Sequence, residues 1–156
     1  MDRVQQLHRV QKRALEFYLR DNQMPPESGI DHVLLACDPL TRLMDAEVRH
    51  VTLSARGLAE TLTRIFVESL CALRQRKDMP DDVGEVCRVL REDVFAPRNQ
   101  KYGDTFAGFG AVGVVIRLLD HVHALRDGRT ESVMHIANFA AMTLVVLIDD
   151  DKEFLS

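Results

Sequence analysis

The run Ile136-Ala137-Asn138-Phe139-Ala140-Ala141-Met142-Thr143-Leu144-Val145-Val146-Leu147-Ile148 has 13 residues, and only Asn138 and Thr143 carry polar side chains. Spanning a bilayer takes about 20 apolar residues, so this run is too short for that role. As a helix it is apolar on nearly all sides, and such a helix must be surrounded by other elements. Thr130 offers an N-cap hydroxyl just ahead of it, so the pattern predicts a helix over 131–149 at the centre of the fold.

Working outward, the chain supplies helices to surround it. Val115, Leu118, Leu119, Val122 and Leu125 recur at helical spacing and predict a helix over 112–126, stopped by Asp127-Gly128. Val83, Val86, Leu90 and Val94 form the apolar face of a helix from Asp81/Asp82 to about Phe95, with Asp81, Glu85, Arg88 and Glu92 opposite. Between them, Pro97 to Gly110 reads as a loop. Residues 54–76 predict a helix on the stripe Leu58, Leu62, Ile65, Ser69/Leu70 and Leu73, closed by Lys77-Asp78-Met79-Pro80. Val4, Leu7, Val10, Ala14, Leu15 and Tyr18 mark a first helix, ending before Met24-Pro25-Pro26-Glu27-Ser28-Gly29. Residues 30–50 are harder to read, and Asp38-Pro39 suggests a short helix from about Pro39 to His50 with Asp38 as N-cap. No alternating strand pattern stands out. The expected class is all-α, one domain over 1–156 built as a bundle of five to six helices.

Composition narrows the function. The chain has 156 residues, 46% apolar and 28% charged, which excludes a disordered chain. Its net charge is −4, the wrong sign for a duplex nucleic-acid binder, though a local basic pocket for phosphates is compatible with it. Three cysteines, Cys37, Cys71 and Cys87, form no CxxC pair and suit a reducing compartment. The charged start MDRVQQLHRVQKR is not a signal peptide. A cytoplasmic protein without a membrane partner is expected.

Four places could carry chemistry. Arg98 and Lys101 share a short segment with Asn99, Tyr102 and Gly103, and a guanidinium fork beside an ammonium can clamp phosphate. The plain alternative is an ordinary surface loop. Arg117 and Asp120 lie one turn apart on a helix, either as a surface ion pair or as a phosphate clamp and a metal ligand. Glu131, His135 and Asn138 form one narrow stripe that enters the apolar run, so Asn138 should be buried and in need of a partner. The acidic 81–95 helix places Glu92 on its solvated face and Asp93 nearer the apolar edge, where a carboxylate can point into a cleft. There is no GxSxG, no Walker loop and no HExxH. His121 and His123 diverge by about 200° on a helix, so they make no zinc pair by themselves.

Taken together, these segments resemble a known family. Val94-Phe95-x2-Arg98-Asn99-x-Lys101-Tyr102-Gly103-Asp104-Thr105-Phe106 is similar to the "KNxDYGDSF" signature of the nucleotide modification associated domain. Gly110-x2-Gly113-Val114-x2-Arg117-x2-Asp120 resembles its "G-x-x-G-x-x-x-R-x-x-D-K" helix, and Leu125 its "RL" position. Glu131-x3-His135-x-Ala137-Asn138-Phe139-Ala140 looks like its "E/D-x3-D-L-A-N-Y-A" helix. The likeness spans a core of about 81–149, and residues 1–80 match no motif.

The resemblance implies an all-α pyrophosphohydrolase of the MazG and dimeric dUTPase type. In that case Glu92 or Asp93, Asp120 and Glu131 would hold Mg²⁺. Arg98, Lys101 and Arg117 would grip a nucleoside triphosphate, Asn138 would orient it, and Asn99 and Tyr102 would complete the binding segment. Water would attack the α-phosphorus, giving a nucleoside monophosphate and pyrophosphate. A homodimer is the implied assembly. Three positions depart from the pattern. Lys101 and His135 each replace an Asp, and His121 replaces a Lys. Imidazole is a poor ligand for Mg²⁺ and a better one for Mn²⁺. His135 therefore means a changed metal preference, a base for the attacking water, or a non-catalytic nucleotide-binding or protein-interaction module with a degenerate site.

Overall fold

The computed structural model describes residues 2–25, 29–44, 55–103, 108 and 110–150. Among these residues the chain is all-helical, with no strand. Helix α1 spans Arg3–Asp21, α2 Ile30–Met44 and α3 Ala55–Arg74. Then α4 (Val83–Arg88), a π-helical segment (Val89–Phe95) and α5 (Ala96–Tyr102) follow one another without interruption. Helix α6 spans Gly110–Arg126 and α7 Ser132–Asp150.

Local chemistry sets several of these ends. Asp2 caps α1 in a capping box, its carboxylate accepting from the Gln5 N–H at 2.8 Å while the Gln5 side chain accepts from the Asp2 N–H at 3.3 Å. Asp82 caps α4, accepting from the Glu85 N–H at 3.1 Å. Gly103 ends α5 with φ of 62°, where a Cβ would be strained, and donates its N–H to the Asn99 carbonyl at 2.7 Å.

Two sequence expectations need correction. The second helix starts at Ile30, ahead of Pro39, and its described length ends at Met44. Asp38 is therefore no cap, and it pairs with Arg42 at 2.9 Å inside the helix. Proline removes one helical hydrogen bond, but Val33, Ala36, Cys37 and Leu40 form a buried stripe across it that holds the helix together. Residues 45–50 of the expected helix lie outside the described residues. The second correction is Pro97–Tyr102, which is helix rather than loop. Pro97 is the second residue after the π segment, and the carbonyl four residues before it, that of Asp93, lies within that segment. A wider turn relieves the contact between a proline ring and the carbonyl four residues back, so the helix passes through Pro97 instead of stopping. Residues 104–107 and 109 of the expected loop are outside the described residues.

The centre belongs to two helices. α7 packs against α1, α3, α6 and the π segment, and α3 packs against α1, α2, α4 and α7. From Ile136 to Val146 the apolar run of α7 is buried except for the half-buried Phe139, and the buried Thr143 hydroxyl donates to the Phe139 carbonyl at 2.7 Å within the same helix. α3 is more deeply buried than its stripe indicates, with Phe66, Val67 and Cys71 fully covered in addition. All three cysteines are buried thiols, and burial pushes those of Cys37 and Cys87 up to about 12. No helix among the described residues is long and apolar enough to cross a membrane.

Two buried amides, one from α1 and one from α7, brace the junction of α4 and the π segment. Gln11 of α1 donates to the Cys87 carbonyl at 3.1 Å and accepts from Arg91 at 2.8 Å. Asn138 of α7 donates to the Leu90 carbonyl at 3.0 Å. Gln11→Leu would keep the volume and leave Arg91 and the Cys87 carbonyl without these partners. The expected cost is about 1–3 kcal/mol. At this chain length that lowers the melting temperature by roughly 3–10 °C, read by calorimetry.

Candidate functional site

The end of the bundle where α5, α6 and α7 meet the π segment holds a cleft of about 630 Å³. The π segment contributes Val94 and Phe95, and α7 contributes Phe139 and Met142, which together make an apolar wall. The polar lining is Arg98, Asn99, Tyr102 and the end glycine Gly103 from the α5 side, Arg117, Asp120 and His121 from α6, and His135 and Asn138 from α7. Residues far apart in sequence converge here because α6 and α7 pack along each other while the π segment docks on α7.

Arg98 reaches across to α7, with Nη1 3.2 Å from His135 Nδ1. A guanidinium only donates, so Nδ1 accepts and the neutral ring carries its proton on Nε2. The His135 ring stacks on His121 at 4.6 Å between centroids and 27° between planes. His121 also stacks on Phe139, at 5.3 Å and 21°. Burial pushes His135 down to about 4, helped by the adjacent His121 and Arg98 and opposed by Glu131. Burial and Arg98 likewise lower His121, against Asp120. Both imidazoles are thus neutral at pH 7, and among the described lining residues the full positive charges are the two guanidinium groups of Arg98 and Arg117.

Acid should therefore destabilise this end of the bundle. The unfolded histidines bind protons near pH 6.5, whereas folded His135 resists until about pH 4. Between those values the unfolded state holds more protons, so stability falls as pH falls through this window. Urea midpoints measured from pH 7.5 to 4.5 should show a drop that is smaller in His135→Phe.

The residues singled out by sequence separate into two groups. Arg98, Asn99, Tyr102, Arg117, Asp120, His135 and Asn138 share the cleft. Arg117 makes no hydrogen bond or ion pair with the described residues, Asp120 included. Asn99 also holds the end of its own helix, its Nδ2 donating to the Gly103 carbonyl at 3.0 Å. Glu92, Asp93, Lys101 and Glu131 do not line the cleft. Glu92 and Asp93 lie beside Arg88, at 3.2 and 4.0 Å. The Lys101 ammonium sits 5.2 Å from the centre of the Tyr102 ring. Glu131 precedes the first residue of α7 and reaches His135 through its charge.

This donor set bears on the implied metal. Mg²⁺ sites of the resembling family draw carboxylates from two or more helices. Asp120 supplies one carboxylate to the cleft, and no group of three His, Cys, Asp or Glu side chains among the described residues gathers to hold an ion. The described residues do not fit a carboxylate-built Mg²⁺ cluster. Asp104 lies outside them.

Sequence reasoning missed the apolar wall and the place of His121 in the ring stack. A signal was present. Met142 continues the Glu131, His135, Asn138 stripe by one more turn, and Phe139 lies one turn beyond His135.

Among the polar residues that line the cleft, Asn138 is the most buried, at 6% exposed. Its nitrogen is held by the Leu90 carbonyl, and its buried Oδ1 has no hydrogen-bond partner among the described residues. No family model, no curated protein and no solved structure matches the chain.

Proposed function

We propose that this cleft binds a nucleotide, and that the protein is a nucleotide-binding helical module rather than an efficient hydrolase. The observation that carries the reading is the pairing of two guanidinium groups, Arg98 and Arg117, with an aromatic and apolar wall in one concave site. Guanidinium forks suit phosphate oxygens, and the stacked rings and apolar side chains suit a flat base. The motif resemblance points to the same ligand class. A cytoplasmic setting belongs to this reading and fits three buried free thiols. So does a homodimer, for which Val112 and Ile116 offer exposed apolar surface one turn apart on α6.

Metal-dependent hydrolysis of a nucleoside triphosphate to monophosphate and pyrophosphate is the second reading. Asp120 favours it, as a carboxylate facing the same cleft as both arginines. Against it stand the single carboxylate among the described lining residues and the engagement of Glu92 and Asp93 with Arg88.

The test is a panel of nucleoside mono-, di- and triphosphates followed by calorimetry and by pyrophosphate release, with Mg²⁺, with Mn²⁺ and without metal. Micromolar binding without turnover is the expected result. No binding by any nucleotide overturns the proposal. Turnover that disappears in Asp120→Asn would establish the hydrolase instead.

A further inference from the structure

Arg98 and His135 lie 37 residues apart, on α5 and α7, and meet at the cleft with Nη1 3.2 Å from Nδ1. The two partners differ in how firmly they are held. The His135 ring is half-buried and stands in a stack with His121 and Phe139, three rings carried by two packed helices. Arg98 is exposed, on a seven-residue helix none of whose residues is fully buried. Among the described residues it makes no other hydrogen bond and no ion pair. A long exposed arginine samples many rotamers, and a ligand that needs one of them must first select it. The contact with His135 makes that selection in advance. It uses one of the five guanidinium N–H groups, so the edge formed by Nη2 and Nε keeps its donors for phosphate oxygens.

Resting on the nucleotide reading, we propose that His135 is a positioning residue: its Nδ1 fixes the Arg98 guanidinium at the cleft, so that the Nη2–Nε edge meets the phosphates of the ligand already oriented. His135 holds the arginine and makes no bond to the ligand. An imidazole suits this task in a way that the Asp of the resembling motif would not. A carboxylate would also hold the arginine, but as an ion pair, offsetting the charge that draws phosphate and adding an anion that repels it. Nδ1 accepts only when it carries no proton, so the ring that holds Arg98 is uncharged and the guanidinium keeps its full charge. The stack on His121 and Phe139 sets the plane of that ring and with it the direction in which Nδ1 points. Ordering one such side chain ahead of binding is expected to improve affinity about five- to tenfold.

The experiment is a double-mutant cycle on the full chain in metal-free buffer, read by calorimetry. The probes are the four common ribonucleoside triphosphates and inorganic tripolyphosphate, which has no base. His135→Leu is measured in the wild-type and Arg98→Gln backgrounds, beside His135→Asn and His135→Asp, and thermal melts report folding. His135→Leu should weaken nucleotide and tripolyphosphate alike by about five- to tenfold, but by less than about twofold once Arg98 is Gln. His135→Asn returns an uncharged acceptor on a short side chain and should recover to within about threefold of wild type. His135→Asp should bind at least as weakly as His135→Leu. An equal loss in both backgrounds overturns the proposal, because the effect then does not pass through Arg98. A loss seen with nucleotides and absent with tripolyphosphate also overturns it, since the ring then serves the base. Unchanged binding in His135→Leu is the third overturning result. In each of these cases weaker binding by Arg98→Gln alone leaves the nucleotide reading standing. If His135→Leu does not fold, the Asn and Asp variants decide, and equal affinities in those two overturn the proposal. Absence of binding by every probe to wild type removes the nucleotide reading and this inference with it.

Discussion

The double variant Arg98→Gln/Arg117→Gln is expected to bind nucleotide at least about a hundredfold more weakly than wild type. A charge-assisted hydrogen bond contributes roughly 1.5–3 kcal/mol, and each 1.4 kcal/mol is tenfold in affinity. Each arginine should thus account for about ten- to a hundredfold. Arg98 and Arg117 are both exposed at the cleft, so replacing them removes little packing. The melting temperature should stay within a few degrees, which separates loss of ligand from loss of fold. Raising salt should weaken wild-type binding and hardly affect the double variant, because the screened charges are then already gone. Binding within threefold of wild type in the double variant would remove the phosphate clamp from the argument.

Phe66→Ala carries the largest expected effect on stability. Phe66 is fully buried on α3, in the central pair with α7. Truncating a buried phenylalanine leaves a cavity and costs about 3–5 kcal/mol, a large share of the roughly 5–15 kcal/mol that holds a domain together. The melting temperature should fall by about 6–20 °C. Val112→Ala, on an exposed face of α6, is the comparison and should stay within about 0.5 kcal/mol. Similar losses in both would contradict the burial of α3.

The last two helices were readable because each rule pointed the same way. The apolar run, Gly128 and the stripe of α6 all agree, and the observed bounds differ from the expected ones by one or two residues. Prolines misled twice. Pro39 and Pro97 both sit within continuous helix, the first held by a buried stripe and the second eased by the π turns before it. Alternating charges hid the burial of α3. Arg56, Glu60 and Arg64 mark an outer face, yet Glu68 in the same series is buried.

The site was legible in part for a similar reason. Asp120 and Arg117 on α6, and His135 and Asn138 on α7, could be named because each occupies a polar position on an otherwise periodic helix. Which of the acidic residues share a cleft could not be read. That depends on the angular phase of the helix after residue 88, and the π segment changes that phase in a way no periodicity count registers. Gln11 was invisible for another reason. A glutamine beside Lys12 and Arg13 looks solvated until a partner helix covers it.

The seven π residues behave as an inserted phase offset in an otherwise ordinary rod. Each residue of an α-helix advances the direction of its side chains by about 100°. Deleting one residue between Val89 and Phe95 would let the rod close up as plain α-helix and swing everything beyond it by that angle. Arg98 would turn away from His135, Asn99 and Tyr102 would leave the cleft, and the length of the rod would hardly change. Such a deletion should leave helical content near that of wild type while emptying the cleft of its α5 side chains, so this protein is expected to tolerate substitutions in Val89–Phe95 far better than changes in its residue count.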